Sequence, residues 1–251
     1  MSAWGLIVWG LALIAQDPPA PGSPEADADA AIVEFKRNYY RPGSTEDELV
    51  LAVRTLGETV HPKTLAVLAA LIYDGRGGPV ATRIAAALVL SNFGKVEGTP
   101  EALVRAYAFT DSKPANRPVR IQIIQTLGEL KAETAVDLIN SALKDRDPWI
   151  ARAAAKAAGR VRGKSSIEPL ILRLQFVESK EGEKPTSDSP DGSKDGRDRG
   201  DALDHARKSE RQVLERTLHD ALQDITRLRH DCAASWIKWW GKVYKDFKVP
   251  K

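Results

Sequence analysis

Residues 143–159 read LKDRDPWIARAAAKAAG, and this stretch decides the fold class. Two aspartates mark a turn, and Pro148 follows at a first-turn position of a helix, where its missing N–H costs nothing. A run of small apolar residues then leads to Gly159. The apolar positions do not alternate with a period of two, so the stretch predicts a helix rather than a strand.

The same order of residues occurs twice more upstream. Each copy has an aspartate in the turn, a proline at the helix start, an arginine, and a small or apolar run. Internal repetition at this length predicts stacked units, because one helix pair cannot bury its apolar stripe alone. The aspartates are Asp74, Asp111 and Asp145, the prolines Pro79, Pro118 and Pro148, and the arginines Arg83, Arg120 and Arg152.

A glycine closes the apolar helix in four places, at spacings of 37, 34 and 31 residues. Glycine fits a helix C-cap, where the backbone needs a positive φ, so we predict a C-cap at each position. Residues 79–94 have extra length between arginine and glycine, which predicts a distorted repeat there. The four glycines are Gly57, Gly94, Gly128 and Gly159.

This pattern resembles HEAT repeats, especially the short form of phycobilisome-lyase-like repeat proteins, in an exported bacterial protein. The resemblance covers residues 44–178, and residues 143–159 match best. It implies a helix pair in every repeat and a curved superhelix of successive pairs. We therefore predict an all-α fold, an α-solenoid of four to five stacked antiparallel helix pairs, with the repeat array over residues 27–180.

The start of the chain differs from the array in composition. Residues 1–15 read MSAWGLIVWGLALIA and carry no charge. A helix over residues 3–15 would span roughly 20 Å, less than the ~30 Å hydrocarbon core of a bilayer. This length is typical of a signal peptide, so we expect residues 1–15 to be removed and the protein to be periplasmic or extracellular. Residues 16–26, rich in proline and alanine, are predicted to be a flexible mature N-terminus.

The C-terminal part begins with a charged stretch. Residues 181–200 read EGEKPTSDSPDGSKDGRDRG, which predicts a disordered loop. Residues 201–251 are predicted to form a terminal helix pair with an aromatic cap, because Trp236, Trp240 and Tyr244 recur at helical spacing. Exported bacterial HEAT proteins often end in a similar Trp-x-x-Trp-Trp helix. Lysines among these tryptophans leave an alternative, a face that binds a partner or the envelope surface without spanning the membrane.

The repeated arginines have two interpretations. Arg83, Arg120 and Arg152 either bridge adjacent repeats through turn carboxylates and carbonyls, or line a groove for an acidic partner. The helices that carry them are expected to form the inner face of the superhelix. With Trp236 and Trp240, these arginines are the candidate partner-binding residues.

Composition and motifs argue against several functions. The net charge of +3 is spread along the chain, so no nucleic-acid partner is predicted. No nucleophile, phosphate-loop or metal-ligand spacing occurs, so we predict no catalytic residue, no cofactor and no metal. The leading hypothesis is a non-catalytic scaffold that presents a curved surface to an unknown protein partner. The alternatives are a lyase-like or enzyme-accessory protein acting on a protein-bound cofactor, and association with the envelope surface through the C-terminal helix.

Overall fold

A computed structural model describes residues 22–73, 78–110, 113–179 and 194–250, with residues 73 and 194–204 described by their backbone alone. All regular elements within these ranges are helical. Short 3-10 turns precede or follow several of the helices. The α-helices are α1 Pro24–Tyr39, α2 Glu46–Glu58, α3 Pro62–Tyr73, α4 Val80–Val89, α5 Thr99–Phe109, α6 Arg117–Glu129, α7 Val136–Ala142, α8 Pro148–Val161, α9 Ile167–Ser179, α10 Lys194–Thr226 and α11 Ala233–Val243.

The helices form two layers. The even-numbered helices α2, α4, α6, α8 and α10 each pack beside the next member of the series. The odd-numbered helices form the second layer, in which the 3-10 turns before α7 and α9 contribute contacts. Each odd-numbered helix from α1 to α9 also packs against the even-numbered helix that follows it, which is the arrangement of stacked helix pairs. The prediction of an all-α solenoid of stacked helix pairs is confirmed, with five pairs from α1 to α10.

A continuous apolar core fills the space between the two layers. Leu56, Leu90, Ile123, Leu143 and Leu174 lie on successive units and are almost completely buried. The helix α8, between α6 and α10, buries nine of its fourteen residues, and seven of the nine are alanine or glycine. Small side chains at this position let the two flanking helices approach closely. None of the helices in the described ranges has the length and apolar character that a bilayer crossing requires.

The repeat glycines do not have the role predicted for them. Gly57, Gly128 and Gly159 lie inside helices, and none of them has a positive φ. A Cβ atom on Gly128 would lie 2.8 Å from the Cα of Ala157, and one on Gly159 would lie 3.1 Å from the Cα of Ala221. Gly94 follows the 3-10 turn after α4, but its φ of -58° is not left-handed. The prediction of C-caps with positive φ is therefore wrong. At Gly128 and Gly159 the backbone of the next even-numbered helix occupies the space of a side chain, and at Gly57 the side chain of Val89 does.

The repeat over residues 79–94 is distorted, as predicted. The α-helix α4 ends at Val89, and a 3-10 turn, Leu90–Phe93, takes up the remaining residues before the glycine. Leu90 and Phe93 both project into the core and are completely buried. The extra length is therefore accommodated by a tighter helical turn, which keeps the apolar side chains directed inwards.

Two predicted boundaries need correction. Helix α1 begins at Pro24, because the Ser23 side chain accepts a hydrogen bond from the N–H of Ala26 and caps the helix. The predicted flexible N-terminus, residues 16–26, is therefore helical over its last three residues. Helix α10 begins at Lys194, so the end of the predicted loop, residues 181–200, is also helical. The predicted signal peptide and the rest of that loop lie outside the described ranges.

The terminal helix pair over residues 201–251 is also corrected. Helix α10 pairs with α9 and completes the fifth unit, and α11 packs on α9 as the first helix of a further unit. Residues 244–250 continue past α11 towards the turn after α8, where Arg162 donates to the carbonyl of Pro250. The aromatic helix therefore extends the odd-numbered layer.

Replacement of Gly128 by alanine is expected to lower the free energy of unfolding by about 1–3 kcal/mol, because the added methyl group overpacks the backbone of α8. Gly241→Ala is the matched control, since a Cβ there meets no atom within 4 Å. It should change stability by less than about 1 kcal/mol, in the stabilising direction. Urea unfolding followed by circular dichroism measures both. Equal effects of the two variants would contradict the close approach of α6 and α8.

Candidate partner-binding surface

Arg83 joins two neighbouring units. Its Nε donates to the carbonyl oxygen of Ile72 at the end of α3, at 2.8 Å. Its Nη1 donates to Oδ1 of Asn116, in the 3-10 turn before α6, at 2.7 Å. One side chain of α4 therefore connects its own pair to the next turn, which is the bridging interpretation of the repeated arginines.

Arg120 repeats this arrangement one unit later. Its Nη2 donates to the hydroxyl of Tyr107 at 2.7 Å and lies 3.2 Å from Oδ2 of Asp145. The guanidinium also lies 4.7 Å from the centre of the Tyr107 ring. Burial raises the pKa of the Tyr107 phenol above its ordinary value, and the charge of Arg120 partly opposes this shift. The phenol therefore stays neutral at physiological pH and accepts the bond from Arg120.

Asp145, the partner of Arg120, is held in its turn from several sides. Its Oδ1 accepts the N–H of Asp147, and its carbonyl oxygen accepts a bond from Arg173 of α9 at 3.0 Å. Burial lowers the pKa of the Arg173 guanidinium, and the charge of Asp145 opposes that shift. The turn between α7 and α8 is thus fixed by arginines from the units on both sides.

Arg152, the third member of the series, has no such partner in the part of the chain that the structure describes. Its guanidinium lies 5.9 Å from the centre of the Trp149 ring, and its Nε is buried without an acceptor. Beside it a pocket of about 120 Å³ opens between α8 and α10. The residues that line it are Pro148, Trp149, Arg152, Ser209, Glu210 and Val213.

The outward side of α8 is basic. Its charged residues are Arg152, Lys156 and Arg160, spaced four residues apart along one stripe, and the helix contains no acid. Arg160 pairs with Glu129 of α6 at 3.2 Å, whereas Lys156 forms no ion pair with any described residue. Sequence reasoning selected Arg152 and missed Lys156, although the spacing was present in the sequence.

Exposed apolar side chains accompany these cations on the even-numbered helices. Leu51 is 64% exposed, Leu88 41%, Trp149 44% and Val213 37%. A single exposed leucine on a protein surface is ordinary. Exposed apolar side chains also occur on the odd-numbered layer, where Phe109 is 73% and Leu172 53% exposed. The even-numbered layer adds the basic stripe of α8 beside the exposed Trp149, and arginine and aromatic residues are the types enriched in protein interfaces.

The aromatic residues of α11 have a different role. Trp236 is completely buried, and its Nε1 donates to Nδ1 of His219 on α10 at 3.3 Å. Both carboxylate oxygens of Glu178, at the end of α9, accept the N–H of Ala233 at 2.8 and 3.1 Å. These bonds fix the start of α11 to both helices of the fifth pair, which supports the cap interpretation for Trp236.

Trp240 belongs to a partly buried aromatic cluster. Its ring centre lies 5.7 Å from that of Trp239 and 5.8 Å from that of Phe247. Phe247 comes from the segment after α11, so the cluster holds that segment against the helix. Trp240 is therefore engaged within the chain, and the exposed apolar residues of this region are Ile237 and Tyr244.

Three potential metal ligands converge where α9, α10 and α11 meet. Donor atoms of Glu178, Glu215 and His219 lie within 4.8 Å of one another. Nδ1 of His219 accepts the indole N–H of Trp236, and its Nε2 lies 4.0 Å from the carboxylate of Glu178, which is beyond hydrogen-bond distance. The same Glu178 carboxylate accepts the N–H of Ala233, so His219 and Glu178 both help to dock α11.

The fold and the arginine bridges define a repeat protein, and comparison with known proteins identifies the repeats. Residues 108–175 match the family of HEAT repeats. The prediction of HEAT repeats is thus confirmed for this segment.

The chain is also similar to the uncharacterized phycocyanin operon protein Y of Pseudanabaena tenuis (strain PCC 7409). The two are 38% identical over 92 residues, which are 37% of this chain and 21% of that protein. The matched region thus spans about a fifth of the relative's length.

Truncation of Arg120 to alanine should lower the free energy of unfolding by about 2 kcal/mol or more, because it leaves Asp145 and Tyr107 half-buried without their partner. Arg117→Ala removes an arginine whose pair with Asp147, at 3.4 Å, is exposed. This control should cost less than about 1 kcal/mol. Urea unfolding compares them, and an Arg120 variant no less stable than the Arg117 variant would refute the bridging role.

Trp236→Ala is expected to destabilise the chain by about 3–5 kcal/mol, because a completely buried indole leaves a large cavity. Ile237→Ala, one position further on an exposed face, should cost less than about 1 kcal/mol. Thermal unfolding followed by tryptophan fluorescence measures the difference. A Trp236 variant that unfolds at the wild-type temperature would show that α11 does not close the array.

Proposed function

We propose that this chain is a non-catalytic HEAT-repeat scaffold that binds a protein partner with the outward face of its even-numbered helices. One observation supports this most strongly: the arginines of successive units fix the turns, while the same layer exposes apolar side chains beside cations that form no ion pair with any described residue. Leu88 and Trp149 are examples of the exposed apolar side chains, and Arg152 and Lys156 are the cations. The polar and apolar residues of the even-numbered layer thus divide into two groups, one structural and one available to a partner.

The proposed mechanism is presentation of a rigid surface. Bonds from Arg83 and Arg120 hold consecutive turns in fixed positions, so the exposed side chains need little ordering when a partner arrives. Preorganisation of this kind improves affinity, because less conformational entropy is lost on binding. The partner would therefore be recognised by shape and by the pattern of charge along the layer.

We also propose that the scaffold works outside the cytoplasm. The support is the uncharged run at the start of the chain, residues 3–15. Expression of the whole chain in a bacterial host should give a mature protein that begins at Gln16, as N-terminal sequencing of the periplasmic fraction would show. Recovery of the unprocessed chain from the cytoplasm alone would refute the proposal.

A second candidate function is an accessory role towards a protein that carries a chromophore. Its support is the similarity to a protein named for a phycocyanin operon. In this role the even-numbered face would bind the chromophore-bearing protein itself. Absorption spectra of the purified complex distinguish this role from that of a general scaffold. A partner that carries a pigment absorbs visible light, and an uncoloured partner does not.

A third candidate is association with the envelope surface through α11. Its support is the exposure of Ile237 and Tyr244 beside the exposed lysines Lys238 and Lys242. Cosedimentation with anionic lipid vesicles tests it. Substitution of both lysines by glutamate should abolish cosedimentation if the helix binds lipid.

Site-specific photo-crosslinking tests the proposed function. A photoreactive residue at Leu88, on the even-numbered layer, should crosslink to a partner in cells that produce the protein. Leu172 is the matched control, an exposed leucine on the odd-numbered layer. Crosslinks from Leu172 but not from Leu88 would show that the partner binds the odd-numbered layer, which contradicts the proposed surface. No crosslink from either residue would refute the scaffold function.

A further inference from the structure

The three repeated arginines differ in one respect that the proposed function does not explain. Arg83 donates to a backbone carbonyl and an asparagine side chain, and Arg120 contacts a tyrosine hydroxyl and a carboxylate. Arg152 occupies the same place in its unit but has neither a carboxylate nor a carbonyl partner among the described residues. Its Nε is buried without an acceptor, as is that of Arg120, so the difference lies in the terminal nitrogens of the guanidinium. A partly buried guanidinium without such a partner favours an incoming acceptor.

The space beside Arg152 has the size and lining of a side-chain pocket. Trp149 and Val213 form apolar walls and remain 44% and 37% exposed. The pocket volume is about 120 Å³. A cavity of about 150 Å³ takes a benzene-sized group, so this pocket suits one apolar or aromatic side chain.

The positive charge around the pocket favours acidic residues next to that side chain in the bound segment. Arg152 and Lys156 lie one helical turn apart on α8, and Lys208 of α10 is exposed next to the lining residue Ser209. Glu210 is the one acid of the lining and forms no ion pair with Arg152. A planar guanidinium binds a carboxylate through two parallel hydrogen bonds, and a lysine one turn away extends the preference for negative charge.

We propose that the pocket between α8 and α10 anchors an acidic segment of the partner protein, in which an apolar or aromatic side chain is flanked by carboxylates. The side chain enters between Trp149 and Val213, and the carboxylates bind Arg152 and Lys156. This inference rests on the proposed scaffold function and identifies the chemistry of its partner. A nucleic acid is disfavoured, because the net charge of +3 is too small and too dispersed for a phosphate backbone.

An array of short synthetic peptides tests the proposal directly. Each peptide places one apolar amino acid between glutamates, and each has a twin in which lysines replace the glutamates. We expect the purified wild-type chain to bind acidic peptides with aromatic or large aliphatic residues and none of the lysine twins. Absence of binding to any acidic peptide, or equal binding to the twins, would overturn the proposal.

Variants of α8 assign the binding to the pocket. Arg152→Ala and Trp149→Ala should each weaken binding of the best acidic peptide at least about tenfold, the size expected when one partner of a hydrogen-bonded charge pair or an aromatic anchor is lost. Arg160→Ala is the matched control, because this arginine of the same stripe is already paired with Glu129. Its affinity should stay within about threefold of wild type. Circular dichroism verifies that all three variants fold, and a full-affinity Arg152→Ala variant would refute the site.

Two further outcomes separate the alternatives. If only a chain with Glu181, Glu183, Asp188 and Asp191 neutralised binds the acidic peptides, the chain's own acids occupy the pocket and the proposal for a partner segment is wrong. If the Leu88 crosslink to a partner persists in the Arg152→Ala variant, the scaffold function stands and the acidic anchor is refuted. Loss of that crosslink in the Arg152→Ala variant, with retention in Arg160→Ala, supports the anchor.

Discussion

The close approach of neighbouring even-numbered helices is the constraint on which the rest of the structure depends. A Cβ on Gly128 would lie 2.8 Å from the Cα of Ala157, which is too close for a side chain, and one on Gly159 would make a tight contact of 3.1 Å with the Cα of Ala221. Because these backbones approach so closely, each even-numbered helix is held in a defined register against the next. Buried alanines along α8 extend this contact over most of the helix.

The arginine bridges are a consequence of that register. Once α4, α6 and α8 are stacked at a short, regular distance, an arginine near the start of each helix reaches the turn of the following unit. Arg83 and Arg120 use this reach to bind Asn116 and Asp145, which fixes the turns. Arg152 has the same position in its helix and lines a pocket between α8 and α10, where no described residue offers it a carboxylate or a carbonyl. This arginine is therefore the one of the three that we assign to recognition.

Much of the fold could be predicted from the sequence, because prolines, apolar runs and the repeated order of residues report helix starts and repeat units. The role of the glycines could not be predicted, because a glycine after an apolar run fits both a helix C-cap and a close contact between helices. Two left-handed residues at helix ends are in fact Lys131 and Arg162, three positions after Gly128 and Gly159. The pocket could not be predicted from the sequence either, because its walls come from α8 and α10, which are far apart along the chain.

The contact between Gly128 and Ala157 is open to direct measurement by NMR spectroscopy. In a sample with labelled alanine methyl groups, we expect strong nuclear Overhauser effects between the Hα protons of Gly128 and the methyl group of Ala157, and between the Hα protons of Gly159 and the methyl group of Ala221. If both cross-peaks are missing while contacts within α6, α8 and α10 are present, the even-numbered helices do not pack backbone to backbone, which contradicts the stacking described above.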